Sequence, residues 1–247
     1  MITGGKADSN NDGVPNAYFE LHNLGNNNQQ GVLMLCELNP IALDRLKAML
    51  LSADELRMAA SLLYQSYYDD PLFMEIFRAD KADYEQRLRA AIREELSTFW
   101  QAEQPIIGLF VDEQLLGVAC VITPDSGIGA SRLWHWRLKM LLTAGYVSTK
   151  QLLDKEQKIH AAMPAQRYHM LAFIAVAPKH QHLGLGHYLA HAVDSIVDKD
   201  PASEGIGVFV TLDKYKTFFA GDHYQPVTEL AFNTVSGTLM FRPRQQQ

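Results

Sequence analysis

Apolar residues recur at three- and four-residue steps in the first half of the chain and in short β-branched runs in the second. Ser52-x-x-Glu55 forms a capping box, and Leu56, Ala59, Ala60, Leu63 and Tyr67 after it share one helical face. This predicts a helix that ends near Asp69-Asp70-Pro71. Tyr84, Leu88, Ile92, Leu96 and Phe99 repeat the pattern over residues 82–100. Before the first helix, Leu43, Leu46 and Leu50 fit a helix or a strand equally well. After Pro105, residues 106–111 and 115–123 read as two strands joined by Asp112-Glu113-Gln114. Residues 170–177 form a nearly continuous apolar run suited to the inside of a sheet. A helix follows to about residue 197, with Leu185, Leu189 and Val193 on its apolar face. Residues 206–211 then predict a strand, 213–220 a short helix, and 227–232 with 238–242 a hairpin turning at Ser236-Gly237. The last strand is expected at or near the sheet edge.

Two stretches fall outside this alternation. Residues 1–31 are polar and rich in Asn and Gly, too poor in apolar groups to offset the cost of ordering, and predict a flexible tail before a single domain over 32–247. A helical insertion at about 131–163 shows two helix-like stretches separated around Gly145 and Ser148. It reads as a cover for a substrate entrance or as a purely structural lid.

The 247 residues, 47% of them apolar, are enough for one enzyme-sized domain. A net charge of −6 with scattered Lys and Arg argues against nucleic acid as a partner. No apolar run reaches the ~20 residues of a membrane span, so no membrane partner and a cytoplasmic location are expected. Cys36 and Cys120 read as buried reduced thiols. The nine histidines include no third ligand at metal-binding spacing, and no metal is expected. A homodimer is left open.

The candidate chemistry centres on Phe173-Ile174-Ala175-Val176-Ala177-Pro178-Lys179-His180-Gln181-His182-Leu183-Gly184-Leu185-Gly186, a strand breaking into a glycine-bearing turn that starts a helix. Main-chain N–H groups at a helix start lack intrahelical partners and carry partial positive charge, so they hold phosphate. A dinucleotide G-x-G-x-x-G would need glycine where Leu189 stands, and the Gly-Lys-Ser/Thr of a P-loop is absent. A tight strand-to-helix connection without ligand is the plain structural alternative.

Gln181-x-x-Gly184-x-Gly186, preceded by Ala175-Val176-x-Pro178, resembles the acetyl-coenzyme A motif of the GNAT acetyltransferase superfamily. The resemblance implies an α/β fold: a mixed central sheet of about six or seven strands, helices on both faces, and a V-shaped splay between strands four and five. It favours a first strand over roughly residues 46–51. It implies acetyl-CoA as acyl donor, with the pantetheine arm on the main chain of Ile174, Ala175 and Val176. The pyrophosphate would lie on Gln181, His182, Leu183, Gly184, Leu185, Gly186 and His187, with Lys179 or Lys214 toward the 3′-phosphate. Asp69-Asp70-Pro71-Leu72-Phe73, the long insertion and His169-Met170-Leu171 are similar to puromycin N-acetyltransferase-like proteins, implying a small-molecule amine substrate.

In that superfamily a main-chain N–H of strand four commonly meets the oxyanion, and a Tyr after strand five often protonates the thiolate. Aligned by its aromatic pair, that Tyr falls here on Phe219, which has no proton to give. Tyr215 and Tyr224 are the nearest replacements, each equally readable as a packing aromatic. The carboxylate base some members carry falls on Met170, which leaves His169 as a base candidate, though strand alternation puts it on the opposite face. Asp69 and Asp70 are candidates for holding a cationic amine, or simply end a helix. Trp134, with His135 and Trp136, is a candidate substrate wall or part of the insertion's own core. The departures at Phe219 and Met170 sustain a second reading, an acyl-CoA-binding module without catalysis.

Overall fold

The computed structural model describes residues 18–19, 45–124 and 146–245; for 18–19 and 146–149 it describes the backbone alone. Seven strands of five to nine residues and one two-residue strand form a single mixed sheet. They are β1 (Tyr18–Phe19), β2 (Leu46–Leu50), β3 (Ile106–Val111), β4 (Gln114–Ile122), β5 (His169–Val176), β6 (Gly205–Val210), β7 (Gln225–Phe232) and β8 (Val235–Pro243). Their order across the sheet is β1-β2-β3-β4-β5-β6-β8-β7. The helices are α1 (Leu56–Tyr67), α2 (Pro71–Phe77), α3 (Tyr84–Gln101), α4 (Tyr146–Ala162), α5 (Leu185–Lys199) and α6 (Asp213–Gly221). Strands four and five of the sequence reading are β5 and β6. β1 lies within the segment read as a tail and pairs antiparallel with Ala48 and Met49. The rest of that tail, Cys36, Trp134, His135, Trp136 and the first half of the insertion lie outside the described residues.

The sheet separates two apolar cores. Leu63, Phe77, Leu88, Leu96, Phe173 and Cys120 belong to the core under α1–α4. Leu109, Val121, Leu171, Leu189, Val193 and Phe219 belong to the core under α5 and α6. Leu63, Leu88 and Leu189 are wholly buried, so cutting any one to Ala costs about 2–5 kcal/mol.

Local chemistry explains most element ends. The Ser52 N–H donates to Glu55 Oε2 at 2.6 Å ahead of α1, as the capping box predicts. Asp70 then begins a helix where the sequence reading placed only a turn. Its Oδ1 accepts from the Leu72 and Phe73 N–H groups at 2.9 and 3.2 Å, and Pro71 fills the first helical position. Ser148 lies inside α4, which runs unbroken from Tyr146. The final hairpin turns at Asn233-Thr234, with Asn233 at φ 54°, and Phe232 pairs with Val235. Gly237 instead lies within β8, where a Cβ would come 2.4 Å from Phe209 Cζ and 2.6 Å from the Val210 carbonyl oxygen. That glycine serves a close strand-to-strand approach. β7 forms the edge and β8 lies next to it.

Two features of β5 position the site. Its parallel pairing with β6 is confined to His169↔Ile206, Met170↔Gly207 and Leu171↔Val208. Its register with β4 steps from Val121↔Leu171 to Cys120↔Phe173, leaving Ala172 as an extra, bulged residue. The bulge bends the strand where pairing with β6 stops, and the two strands part beyond it.

Candidate functional site

The opening between β5 and β6 leads to the start of α5. Gly184 caps that helix in the left-handed region at φ 73°, which glycine adopts without a Cβ clash. His182, at φ 64°, shares that hand. His187 N–H donates to the Gly184 carbonyl oxygen at 3.0 Å. The N–H groups of residues 182–186 take no main-chain acceptor among the described residues, which leaves a run of donors at the positive end of a fifteen-residue helix. The donors and the left-handed glycine of this half-buried turn suit an anionic diphosphate. His187 stands in the first turn of α5. Its Nδ1 is 3.0 Å from each Asp222 oxygen, and this hydrogen bond raises the imidazole above the usual histidine range, against the lowering effect of burial. Phe218 packs over the same ring, with centroids 4.6 Å apart. Lys179 and Lys214 are both exposed.

Alternation along β5 turns the main-chain groups of Ile174 and Val176 away from β4 toward the opening, since Ala177 N–H donates the other way, to Leu116 at 2.8 Å. Three side chains meet this edge. The Tyr67 hydroxyl donates to the Ile174 carbonyl oxygen and accepts from the Ile174 N–H, both at 3.1 Å. Gln181 Nε2 donates to the Val176 carbonyl oxygen at 3.0 Å, and Ser66 reaches the same oxygen at 3.4 Å. Burial drives the Tyr67 phenol far above its ordinary pKa; Asp70, Cys120 and Tyr215 push the same way, and the Ile174 hydrogen bond partly opposes them. Ser66 and Tyr67 were not foreseen as site residues: Tyr67 fits the apolar stripe of α1, and its place in the last turn before Asp69-Asp70-Pro71 is the only sequence signal that it ends at the opening.

Across the opening, the Thr211 hydroxyl donates to Asp70 Oδ2 at 3.0 Å, so both Asp70 oxygens are engaged. Asp69 is exposed. A cavity of about 390 Å³ lies under α2, α3 and α4 and is lined by Phe73, Phe77, Phe99, Tyr168, Phe173 and Phe209 among others. Phe173 and Phe209 stand just past the last β5–β6 pair, so the cavity reaches the apex of the opening.

The proposed proton-transfer residues separate sharply. His169 is 1% exposed at the far end of β5, its Nδ1 2.8 Å from Ser203 Oγ and its Nε2 3.7 Å from Asp200. Burial lowers its pKa. This burial and these partners fit the packing alternative for His169 and do not bring it to the opening. Tyr224 is likewise 1% exposed, buried beside Asp194 and Arg242, and cannot meet a sulfur arriving from solvent. Phe219 packs on it with ring centroids 5.1 Å apart. Tyr215 is 40% exposed on the first turn of α6, under the Lys214 ammonium, and near enough to Tyr67 to influence its titration. Met170 lines the cavity. No three His, Cys, Asp or Glu side chains gather as a metal site among the described residues, and none of the helices there is long and apolar enough to cross a membrane.

No family model matches the chain, and no curated protein does. Solved structures do. A histone acetyltransferase and related acetyltransferase from Corynebacterium glutamicum is similar with TM-score 0.60 at 16% identity, over 81% of this chain and 97% of that one. The C-terminal condensation domain of Ebony, in complex with beta-alanyl-dopamine, gives 0.56 at 13% identity, over 80% and 98%. An agmatine N-acetyltransferase variant in its apo form gives 0.54 at 12% identity, over 81% and 100%. At such identities the likeness is one of fold.

Proposed function

From the GNAT acetyltransferase fold that this chain adopts, we propose that it is an N-acyltransferase moving an acetyl group from acetyl-CoA to the primary amine of a small molecule, by direct attack in a ternary complex. The observation that carries this reading is the continuity of three features: the donor cradle of residues 182–186, the β5 edge at Ile174 and Val176, and the apolar cavity at the apex of the opening. The cradle would hold the pyrophosphate of coenzyme A, with Gln181 fixing the turn that presents it. The β5 edge would carry the pantetheine arm through main-chain hydrogen bonds.

The reaction then needs the thioester carbon held against a neutral amine, so that much of the rate comes from placement. Attack by nitrogen places negative charge on the carbonyl oxygen, which main-chain donors on the β5 edge are positioned to stabilise. The attacking nitrogen gives its surplus proton to solvent water, collapse of the intermediate breaks the C–S bond, and the thiolate takes a proton to leave as free coenzyme A. Tyr215 is the exposed phenol at the mouth of the opening and the best-placed donor for that proton. The cavity, walled by five phenylalanines and Tyr168, suits an amine with a flat apolar body. The Ebony domain, solved with beta-alanyl-dopamine, and the agmatine acetyltransferase lend support to small amines as the acceptor class.

Phe219 favours one rival, an acyl-CoA-binding module without turnover, because no hydroxyl stands at the position where the resemblance expects the acid. A panel of aliphatic and arylalkyl amines incubated with acetyl-CoA, with free thiol followed by a chromogenic reagent, separates the two. Thiol release that depends on one amine supports the transferase. Tight binding of coenzyme A with no turnover across the panel supports the module.

A further inference from the structure

We infer that Tyr67 is a built-in stand-in for the donor: its hydroxyl closes the β5 edge at Ile174, and coenzyme A binds by displacing it. The inference rests on the acyl-CoA reading above and adds to it the last turn of α1, which that reading did not use.

A strand edge that is to carry a pantetheine amide must offer it an N–H and a C=O. At Ile174 both are taken. The Tyr67 hydroxyl accepts from the N–H and donates to the carbonyl oxygen, each at 3.1 Å. Two positions on, the Val176 carbonyl oxygen accepts from Gln181 Nε2 and lies 3.4 Å from Ser66 Oγ. Ser66 and Tyr67 therefore bring the end of α1 down onto the stretch of β5 that has parted from β6. A phenol suits this place, since one oxygen both donates and accepts, and burial keeps its proton on. It holds the edge only loosely. Its donated bond is longer than the ordinary O–H···O distance of about 2.7–2.8 Å, and a single oxygen serves two partners that a ligand amide would meet with separate N–H and C=O groups. The ring has room to yield. It meets Phe73 and Phe173 edge-on, at 5.2 and 5.5 Å between centroids, and both of those rings line the cavity of about 390 Å³. Tyr67 is also the final residue of α1, followed by Tyr68 and Asp69 ahead of the α2 start at Asp70-Pro71. The last turn can give way while Leu63, wholly buried, keeps the body of the helix in place. Breaking the Tyr67 contacts is then part of binding, and the affinity for coenzyme A is reduced from that of the uncovered edge by the fraction of molecules in which the phenol has let go.

Calorimetric titration of coenzyme A into the full-length protein and into Tyr67→Phe tests this, together with thermal denaturation of each with and without saturating coenzyme A. Phenylalanine keeps the ring contacts and removes both hydrogen bonds, so Tyr67→Phe should bind coenzyme A about three- to thirtyfold more tightly than wild type. Its melting temperature should fall below wild type without coenzyme A and return toward it at saturation, because the lost contacts belong only to the unliganded protein. Equal or weaker binding by Tyr67→Phe, or a melting deficit that coenzyme A leaves unchanged, would overturn the stand-in and leave the acyl-CoA reading intact. Binding by Tyr67→Phe alone would support both. Failure of both proteins to bind coenzyme A would bring down that reading and this one together.

Discussion

The Thr211 hydroxyl donates a hydrogen bond to the Asp70 carboxylate at 3.0 Å, joining the start of α2 to the end of β6 across the opening between β5 and β6. The two residues stand 141 positions apart in the chain, and the contact fixes the width of the gap on the side facing α2. Thr211→Val removes only this bridge, at about 1–2 kcal/mol in chemical denaturation. Asp70→Ala also strips the α2 cap and should cost about 1–2 kcal/mol more. Both should raise KM for the amine by more than they change acetyl-CoA affinity; the reverse order would place the bridge outside the acceptor side.

Gly184→Glu puts a carboxylate and a Cβ into the cradle at a left-handed position. It should abolish coenzyme A binding by calorimetry and lower stability by about 1–2 kcal/mol. Gly186→Ala is the control. Its Cβ would come 3.1 Å from the edge of Phe218, a contact that a small ring shift relieves, and binding should persist.

His187 has a pH signature of definite sign. Its pKa is raised in the fold chiefly by the hydrogen bond to Asp222. The stabilisation is therefore fully present below the ordinary histidine range and is lost as pH climbs through the raised value. Coenzyme A binding should weaken over the same interval as the imidazolium beside the cradle loses its charge. In Asp222→Asn both transitions should move to lower pH, and in His187→Gln this component of the binding profile should be flat. His191 lies close enough to His187 to contribute, so the comparison is made between variants and not on wild type alone.

Arg242 is 2% exposed and pairs with Asp194 at 2.9 Å and Asp198 at 3.2 Å, tying β8 to α5. Arg242→Met would leave two carboxylates inside without a cation, at about 3–5 kcal/mol in urea denaturation. Burial pushes Asp194 up to about 7, with Arg242 opposing and Asp198 and Asp222 adding to the rise. Because the folded state holds this proton more tightly than the unfolded chain, the group's contribution to stability falls as pH rises from the ordinary carboxylate range to about 7, then levels off. Asp194→Asn should remove that slope.

Among the described residues of 46–243, α1, α3, α5 and the strands after Pro105 were legible because each carries its own periodicity, and the turn at residues 176–186 because glycine and strand-to-helix transition coincide there; β2 was preferred to a helix only on the resemblance. What escaped depended on contacts distant in sequence. Seven residues are too few for α2 to show a helical period, although Asp70-Pro71 is a helix-start pair. Gly237 looked like a turn because its reason, the ring of Phe209, belongs to another strand. Nothing in an unbroken apolar run announces the bulge at Ala172. Tyr67 looked like core because a helical wheel cannot show that its hydroxyl lands on Ile174.

The bulge has one more consequence. An extra residue shifts the odd–even count of the strand, so Ala172 and Phe173 both serve the α1–α4 side, while Leu171 and Ile174, three apart, serve the other. Deleting Ala172 would restore continuous alternation with β4 but would pull every residue before it one place along. His169 would swing out of its socket beside Ser203, and the three rungs shared with β6 would fall out of step. A single supernumerary alanine thus divides β5 into a lower half that pairs with β6 and an upper half whose edge is met by the side chains of Tyr67, Gln181 and Ser66.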